Sequence, residues 1–396
     1  MTMLLASVTG RDEAQLALAH GADIIDLKDP TRGALGALDP SVVRDVVAAI
    51  AGRRPTSAVT GDLPMRPETV AAAVEAMAAT GVDYVKVGLF PDAARQDCIR
   101  ALAPLARRTR IVGVMFADRQ PDIALVPLMA EAGFAGAMLD TARKGAGRLL
   151  DHADLATLGE FIRSCRSCGL LTGLAGSLEA PDVPRLLLLA PDYLGFRGAV
   201  CAAHDRKAGL EPAALNLIRA LIPSDPRAAE VERAEPQKAD YWLLAARGYS
   251  GDPTKDGGAT DRVLVHDFEL PVRIGVYETE RANAQQVRFN IDAEISRSAQ
   301  PAQDMRDVLS YDIITDGIRL IAADGHIPLV ETLAERIANF VLGHARVQGV
   351  TVKVEKLQVG SGRVGVEIRR QRSAEVAKVY QLYPTAAGQG GPGSAG

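Results

Sequence analysis

The chain has 396 residues, more than one ordinary core holds, so two domains are expected. Hydrophobic residues make up 47% but aromatics only 4%, so Ala, Val, Leu and Ile must build the cores. A net charge of −4 gives no electrostatic footprint for nucleic acid or an anionic membrane. The N-terminal residues lack a basic region ahead of an apolar run, and no apolar run reaches membrane-spanning length; a cytoplasmic location is expected. Cys98, Cys165, Cys168 and Cys201 are too few for a disulfide scaffold. Cys165 and Cys168 have no further ligands at zinc spacing, and the six histidines are scattered, so no metal and no cofactor is expected.

Through residue 222, short β-rich runs alternate with Ala- and Leu-rich segments of helical spacing. The predicted strands cover 3–8, 23–28, 56–61, 83–88, 110–116, 136–141, 170–176 and 193–198. Eight such βα units fit a small (β/α)₈ TIM-type barrel, an α/β fold, over 1–222. A doubly wound open sheet is the competing fold; it would need fewer strands and a Gly-rich fingerprint after the first, which is missing. Residues 223–260 read as a Pro-, Gly-, Asp- and Ala-rich linker that holds the only Trp. From 261 to 373 two long alternating strands, two helices and a closing strand pair give the order ββααββ, an α+β domain. Residues 374–396 are too rich in Gly, Ala and Pro to bury a core and read as a disordered tail.

Only nine of the 45 basic residues are lysines, and the first 222 residues hold four: Lys28, Lys86, Lys144 and Lys207. A chain that uses Arg for surface charge keeps Lys where an amine is needed, because an ammonium can lose its proton and a guanidinium cannot. In a barrel the chemistry lies at the C-terminal strand ends. The polar residues placed there are Ser7, Asp26, Lys28, Asp62, Lys86, Asp118, Asp140, Lys144, Ser177 and Arg197. Lys28, Lys86 and Lys144 thus converge on one rim. Clustering and burial both disfavour the charged amine, which is how an imine-forming lysine arises. The bland alternative is structural Lys–Asp bridges. The Gly-rich turns after strands 7 and 8 offer Gly176, Ser177, Arg197 and Gly198 as phosphate-binding residues, or are simple tight turns.

The stretches GADIIDLKDPTRGALGA, DYVKVGL, AMLDTARK, GLAGS and GFRGAVC resemble the (5-formylfuran-3-yl)methyl phosphate synthases of methanofuran biosynthesis, over roughly residues 3–222. The resemblance implies a lyase that joins two glyceraldehyde 3-phosphate molecules into a furan aldehyde phosphate, releasing phosphate and water. It implies Lys28 as the Schiff-base lysine and Lys86 as the proton acceptor. Asp140 and Lys144 would assist proton transfer, with Asp26 beside the imine. The stretch 202–209 departs from the family, where more Lys and Gly are expected.

The stretches IGVYETE, LSYDI, LVETLAE and VKVEKL resemble dihydroneopterin aldolase over roughly 262–372. That resemblance implies a tunnelling fold, ring-shaped homo-oligomers formed through this domain, and release of glycolaldehyde from dihydroneopterin without imine or metal. It implies Glu331 as the pterin anchor and Lys356 as the proton-transfer residue, with Tyr311 and Glu280 nearby. The family usually reads Lys-Pro before a longer loop; here Lys356 precedes Leu357 and a short turn. The expected partners are therefore small molecules. The competing expectation is another Schiff-base aldolase on the barrel, followed by a non-catalytic oligomerisation or pterin-binding module.

Overall fold

A computed structural model describes residues 2–143, 145–222, 260–277, 280–281, 283–297, 308–359 and 362–372. Lys144, the expected tail and the expected linker except for Thr260 lie outside the described residues; Thr260 opens a strand rather than closing a linker. No helix among the described residues is long and apolar enough to cross a membrane.

Eight parallel strands close into a barrel in sequence order. They are β1 (Met3–Val8), β2 (Ile24–Leu27), β3 (Thr56–Val59), β4 (Tyr84–Gly88), β5 (Arg110–Phe116), β6 (Gly136–Asp140), β7 (Leu171–Leu174) and β8 (Tyr193–Phe196). β1 pairs with both β2 and β8, so the barrel has no open edge, and the open-sheet alternative is excluded. The connecting helices follow local rules. Over Pro40–Ile50, Asp39 caps the start by accepting from the Ser41 N–H at 2.8 Å, and Pro40 fixes the first turn. Val43, Val46 and Ile50 recur on one face and are buried against the strands. The helix stops at Ala51, which adopts a left-handed conformation at φ 51.

Side chains alternate in and out along each strand. On β1 and β2, Leu4, Ala6, Ile25 and Leu27 face the helices, in the large outer core. Leu5, Ile24, Val59, Val112, Val114, Met138 and Tyr193 fill the lumen as a separate cluster. This alternation sets the site. Asp26 and Lys28 continue the inward row of Ile24, toward the C-terminal mouth.

The second module is an antiparallel sheet in the order β12-β11-β10-β9. Its strands are β9 (Thr260–Val272), β10 (Gln285–Ser296), β11 (Val347–Val359) and β12 (Gly362–Gln371). The helices Tyr311–Ala323 and Val330–Leu342 lie between β10 and β11 in sequence, giving the tunnelling-fold order ββααββ. Val287, Phe289, Ile291 and Ala293 of β10 and Val350, Val352 and Val354 of β11 form its buried rows. Arg185 of the barrel helix Asp182–Leu187 donates to Asp316 of Tyr311–Ala323 through Nε at 2.5 Å and Nη2 at 3.3 Å. Buried Asp316 also accepts from Arg319 Nη1 at 2.9 Å, so two guanidinium groups share its charge.

Two aspartates expected at the rim act on loops instead. Asp62 accepts the N–H groups of Ala34 (3.0 Å) and Leu35 (2.8 Å), pinning the turn after β2. Asp118 accepts those of Ala142 (2.6 Å) and Arg143 (2.9 Å), pinning the turn after β6 that leads into Lys144. Burial raises the Asp118 carboxyl, but the two N–H bonds outweigh it and hold the group below its ordinary range. Its contribution to stability is therefore present above the unfolded value near 3.8 and lost as pH falls through the lower folded value. Asp118→Ala is expected to lose about 2 kcal/mol in urea denaturation at pH 7, because two backbone donors lose their acceptor. The loss should shrink toward pH 3; a loss independent of pH would refute this role.

Candidate active site

The C-terminal mouth of the barrel holds a cavity of about 180 Å³. Asp26, Lys28, Lys86 and Asp140 line it, and all four are buried. Strand register explains the convergence. Asp26 sits level with Ser7 of β1 and Ser57 of β3, and Lys86 sits level with Val59.

Asp26 is the hub. Its Oδ1 receives Lys86 Nζ at 2.5 Å and Ser57 Oγ at 2.6 Å; its Oδ2 receives Ser7 Oγ at 3.0 Å. Burial raises the carboxyl, but the Lys86 and Lys28 charges and these hydrogen bonds outweigh it, so Asp26 stays ionised well below the usual carboxylate range. Burial also pulls Lys86 below the ordinary lysine range; Asp26 pulls it back and the Lys28 charge pushes it further down. Lys28 faces Asp140 instead, with Nζ and Oδ2 3.7 Å apart. Asp140 Oδ1 also accepts the Thr141 N–H at 2.7 Å, which fixes its orientation. The site is thus two crossed Lys–carboxylate pairs in one low-dielectric pocket, with both amines in reach of a carbonyl. Such a pocket can form an imine on one amine and use the other as a base.

Asp26 was expected to handle the protons of Lys28, yet its direct partner is Lys86. Ser57 was missed. The signal was present, since Ser57 and Val59 share the inward face of β3, but only register shows that it meets Asp26.

Gly176, Ser177, Arg197 and Gly198 also line the cavity. Gly176 has φ 120, and a Cβ there would come within 2.9 Å of Thr141 Cγ2, so only glycine fits. Ser177 also takes a left-handed conformation, at φ 50. Arg197 departs from expectation. Its Nε donates to the Arg206 carbonyl, Nη1 to the Ser7 carbonyl and Glu13, and Nη2 to Glu13 and the Ala208 carbonyl. All five donors are taken, so Arg197 ties β8 to β1 and has none left for a phosphate. Glu13 was also missed, because no local pattern links residues 184 positions apart. Cys165 and Cys201 are buried and free, and burial pushes their thiols to about 12 and about 11, so both are packing residues.

In the second module Lys356 follows Val350, Val352 and Val354 on the buried face of the inner strand β11. Its Nζ meets Glu280 Oε1 at 2.5 Å. Gln285 Nε2 donates to the same oxygen at 3.0 Å, and the Tyr277 N–H donates to the other at 3.2 Å. The bond from Lys356 and these two together hold Glu280 down to about 2. Tyr311 and Glu331 do not join this pair. Tyr311 opens one helix and Glu331 lies in the first turn of the other, and both are exposed, with no hydrogen bond or ion pair to Glu280 or Lys356.

The comparisons divide the chain in the same way. The 4-HFC-P synthase family model matches residues 4–219, and the dihydroneopterin aldolase model matches 263–369. The (5-formylfuran-3-yl)methyl phosphate synthase of Methanopyrus kandleri is 41% identical over 218 residues, 52% of this chain and 92% of that protein. A Methylorubrum extorquens protein provisionally given the same name is 45% identical over 225 residues, 57% of this chain and 93% of its own length. Among solved structures, the dihydroneopterin aldolase of Burkholderia thailendensis, bound to guanine, is 30% identical. The match covers 29% of this chain and 93% of that one, with a TM-score of 0.26. With a family match over more than half its length and a second over most of the remaining described residues, this chain belongs to the 4-HFC-P synthase family and carries a dihydroneopterin aldolase domain behind its barrel.

Proposed function

We propose that the barrel condenses two molecules of glyceraldehyde 3-phosphate into 4-(hydroxymethyl)-2-furancarboxaldehyde phosphate, with loss of one phosphate and two waters. The observation that carries this reading is the convergence of Lys28, Lys86, Asp26 and Asp140 in one buried pocket. Lys28 Nζ, as the free amine, adds to the aldehyde carbon of one triose phosphate, and loss of water gives the iminium ion. The iminium acidifies the adjacent C–H. Lys86, held below the ordinary lysine range and oriented by Asp26, accepts that proton. Asp140 and Lys144 handle the protons of the later dehydrations. Borohydride reduction in the presence of glyceraldehyde 3-phosphate, followed by peptide mapping, tests the reading: the adduct must lie on Lys28.

For the second module we propose pterin aldolase activity, with release of glycolaldehyde from dihydroneopterin. The ion pair between buried Lys356 and half-buried Glu280 supports this, as the acid–base pair formed among the residues the second resemblance singles out. β9 and β12 are long edge strands, which suits assembly of several copies side by side. Such assembly would let the exposed Tyr311 and Glu331 of one copy meet the Lys356 pair of another. In the full chain, Lys356→Ala is expected to lower glycolaldehyde release by roughly 10²–10⁴-fold, the usual share of a positioned acid–base group, while furan phosphate formation is unchanged. No release by the unmodified protein, with the oligomer intact, would favour a purely structural module.

A further inference from the structure

The tying up of Arg197 leaves the phosphate without its expected guanidinium, and a different one stands in the cavity. Arg206 lines the pocket together with His204, in the stretch that departs from the family. Its Nε is buried and meets no acceptor among the described residues. Its starting point is fixed, because Arg197 Nε donates to the Arg206 carbonyl at 2.9 Å. Burial pulls the Arg206 guanidinium below its ordinary range; Asp140 pulls it back and Arg197 opposes. A bound anion would offset that cost.

The backbone around the same cavity is also short of acceptors. Among the described residues none takes the N–H of Gly176, Ser177, Gly198 or Ala199, which come from the turns after β7 and β8. Both turns need a left-handed or tight backbone here: Gly176 and Ser177 have φ 120 and φ 50, and Gly198–Val200 is a single 3₁₀ turn. Successive N–H groups in such turns form concavities that take anions. The one carboxylate among the lining residues of these turns, Glu179, faces Arg148 at 3.9 Å.

We propose that Arg206 recognises the phosphate monoester of the triose and sets the preference for a phosphorylated over an unphosphorylated aldehyde, with Arg197 as its positioning residue. This deepens the condensation reading and rests on it for the identity of the substrate. A guanidinium suits the task because it offers two parallel donors to two phosphate oxygens, while the turn N–H groups take the remaining oxygen.

The test uses the full chain, with inorganic phosphate and two aldehydes as probes. Calorimetry should show inorganic phosphate binding to the unmodified protein, weakened roughly 10- to 100-fold in Arg206→Ala, the loss of one or two charge-assisted hydrogen bonds. In borohydride trapping, the half-saturating concentration of glyceraldehyde 3-phosphate should rise by a similar factor, while that of glyceraldehyde stays put. Arg206→Lys, which keeps a point charge, should recover part of the loss. The melting temperature of Arg206→Ala should be unchanged, because the buried Nε meets no acceptor among the described residues. Loss of phosphate binding in Arg206→Ala without any imine adduct in either protein would sink the condensation chemistry and leave this site standing. Equal phosphate binding by both proteins, absence of binding in the unmodified one, or equal weakening toward both aldehydes would overturn the proposal.

Discussion

Lys28→Ala is expected to abolish the borohydride-trapped adduct and to lower furan phosphate formation by more than about 10³-fold, as removal of a covalent nucleophile does elsewhere. Lys28→Arg is the sharper variant. It keeps a cation beside Asp140, 3.7 Å away in the unmodified protein, but a guanidinium forms no imine. If Lys28 only anchored Asp140, Lys28→Arg would retain most of the activity. Under the imine reading it is as inactive as Lys28→Ala, and mass spectrometry finds no adduct. An adduct on Lys86 in either variant would exchange the roles of the two lysines, since Lys86 is the other buried amine of the cavity.

Asp26→Asn should give the second large effect, and its size depends on pH. The substitution leaves the Lys86 ammonium buried without its counter-charge, a loss of about 3–5 kcal/mol where the lysine stays charged. In the unmodified protein the folded Lys86 already titrates below 10.5, the value for the unperturbed group. Between those two values the unfolded chain binds more protons, so stability rises with pH. Without Asp26, which raises Lys86, the folded value falls further and that window widens downward. The stability deficit of Asp26→Asn is therefore greatest while Asp26 is ionised and Lys86 charged, and shrinks as pH rises and Lys86 becomes neutral. Asp26 itself contributes in the opposite window. Its folded value lies below 3.8, so its stabilisation holds above that value and is lost as pH falls through the folded one. Urea denaturation at pH 6 and pH 9 separates the outcomes; an equal deficit at both would show that Lys86 does not feel Asp26. The acidic limb of the rate profile should also move to lower pH, with the maximum rate reduced roughly 10²–10⁴-fold through loss of the oriented base.

Much of the site was legible before the fold. The period of two in IIDLK places Asp26 and Lys28 on the face of Ile24 wherever that strand lies. Eight βα units in 222 residues call for closure, and closure sends that face inward. The scarcity of Lys in an Arg-rich chain then singles out Lys28 and Lys86 as the candidate amines of that face. In the second module the same alternation puts Lys356 in the row of Val350, Val352 and Val354, although the sequence alone did not say which face was covered.

Tertiary structure decided the partners. Which carboxylate serves which lysine depends on strand stagger and side-chain reach, so Lys86 meets Asp26 two strands away while Lys28 meets Asp140 across the mouth. Sequence spacing carries no record of those distances. Arg197 looked like a phosphate ligand by position, but closing β8 onto β1 brings it to Glu13 and the Ser7 carbonyl, the loop after β8 adds the Arg206 and Ala208 carbonyls, and a guanidinium has only five donors. Periodicity fixes which way a side chain faces, because that is a local property of the backbone. Whom it meets follows from register and barrel closure, which join residues far apart in the chain.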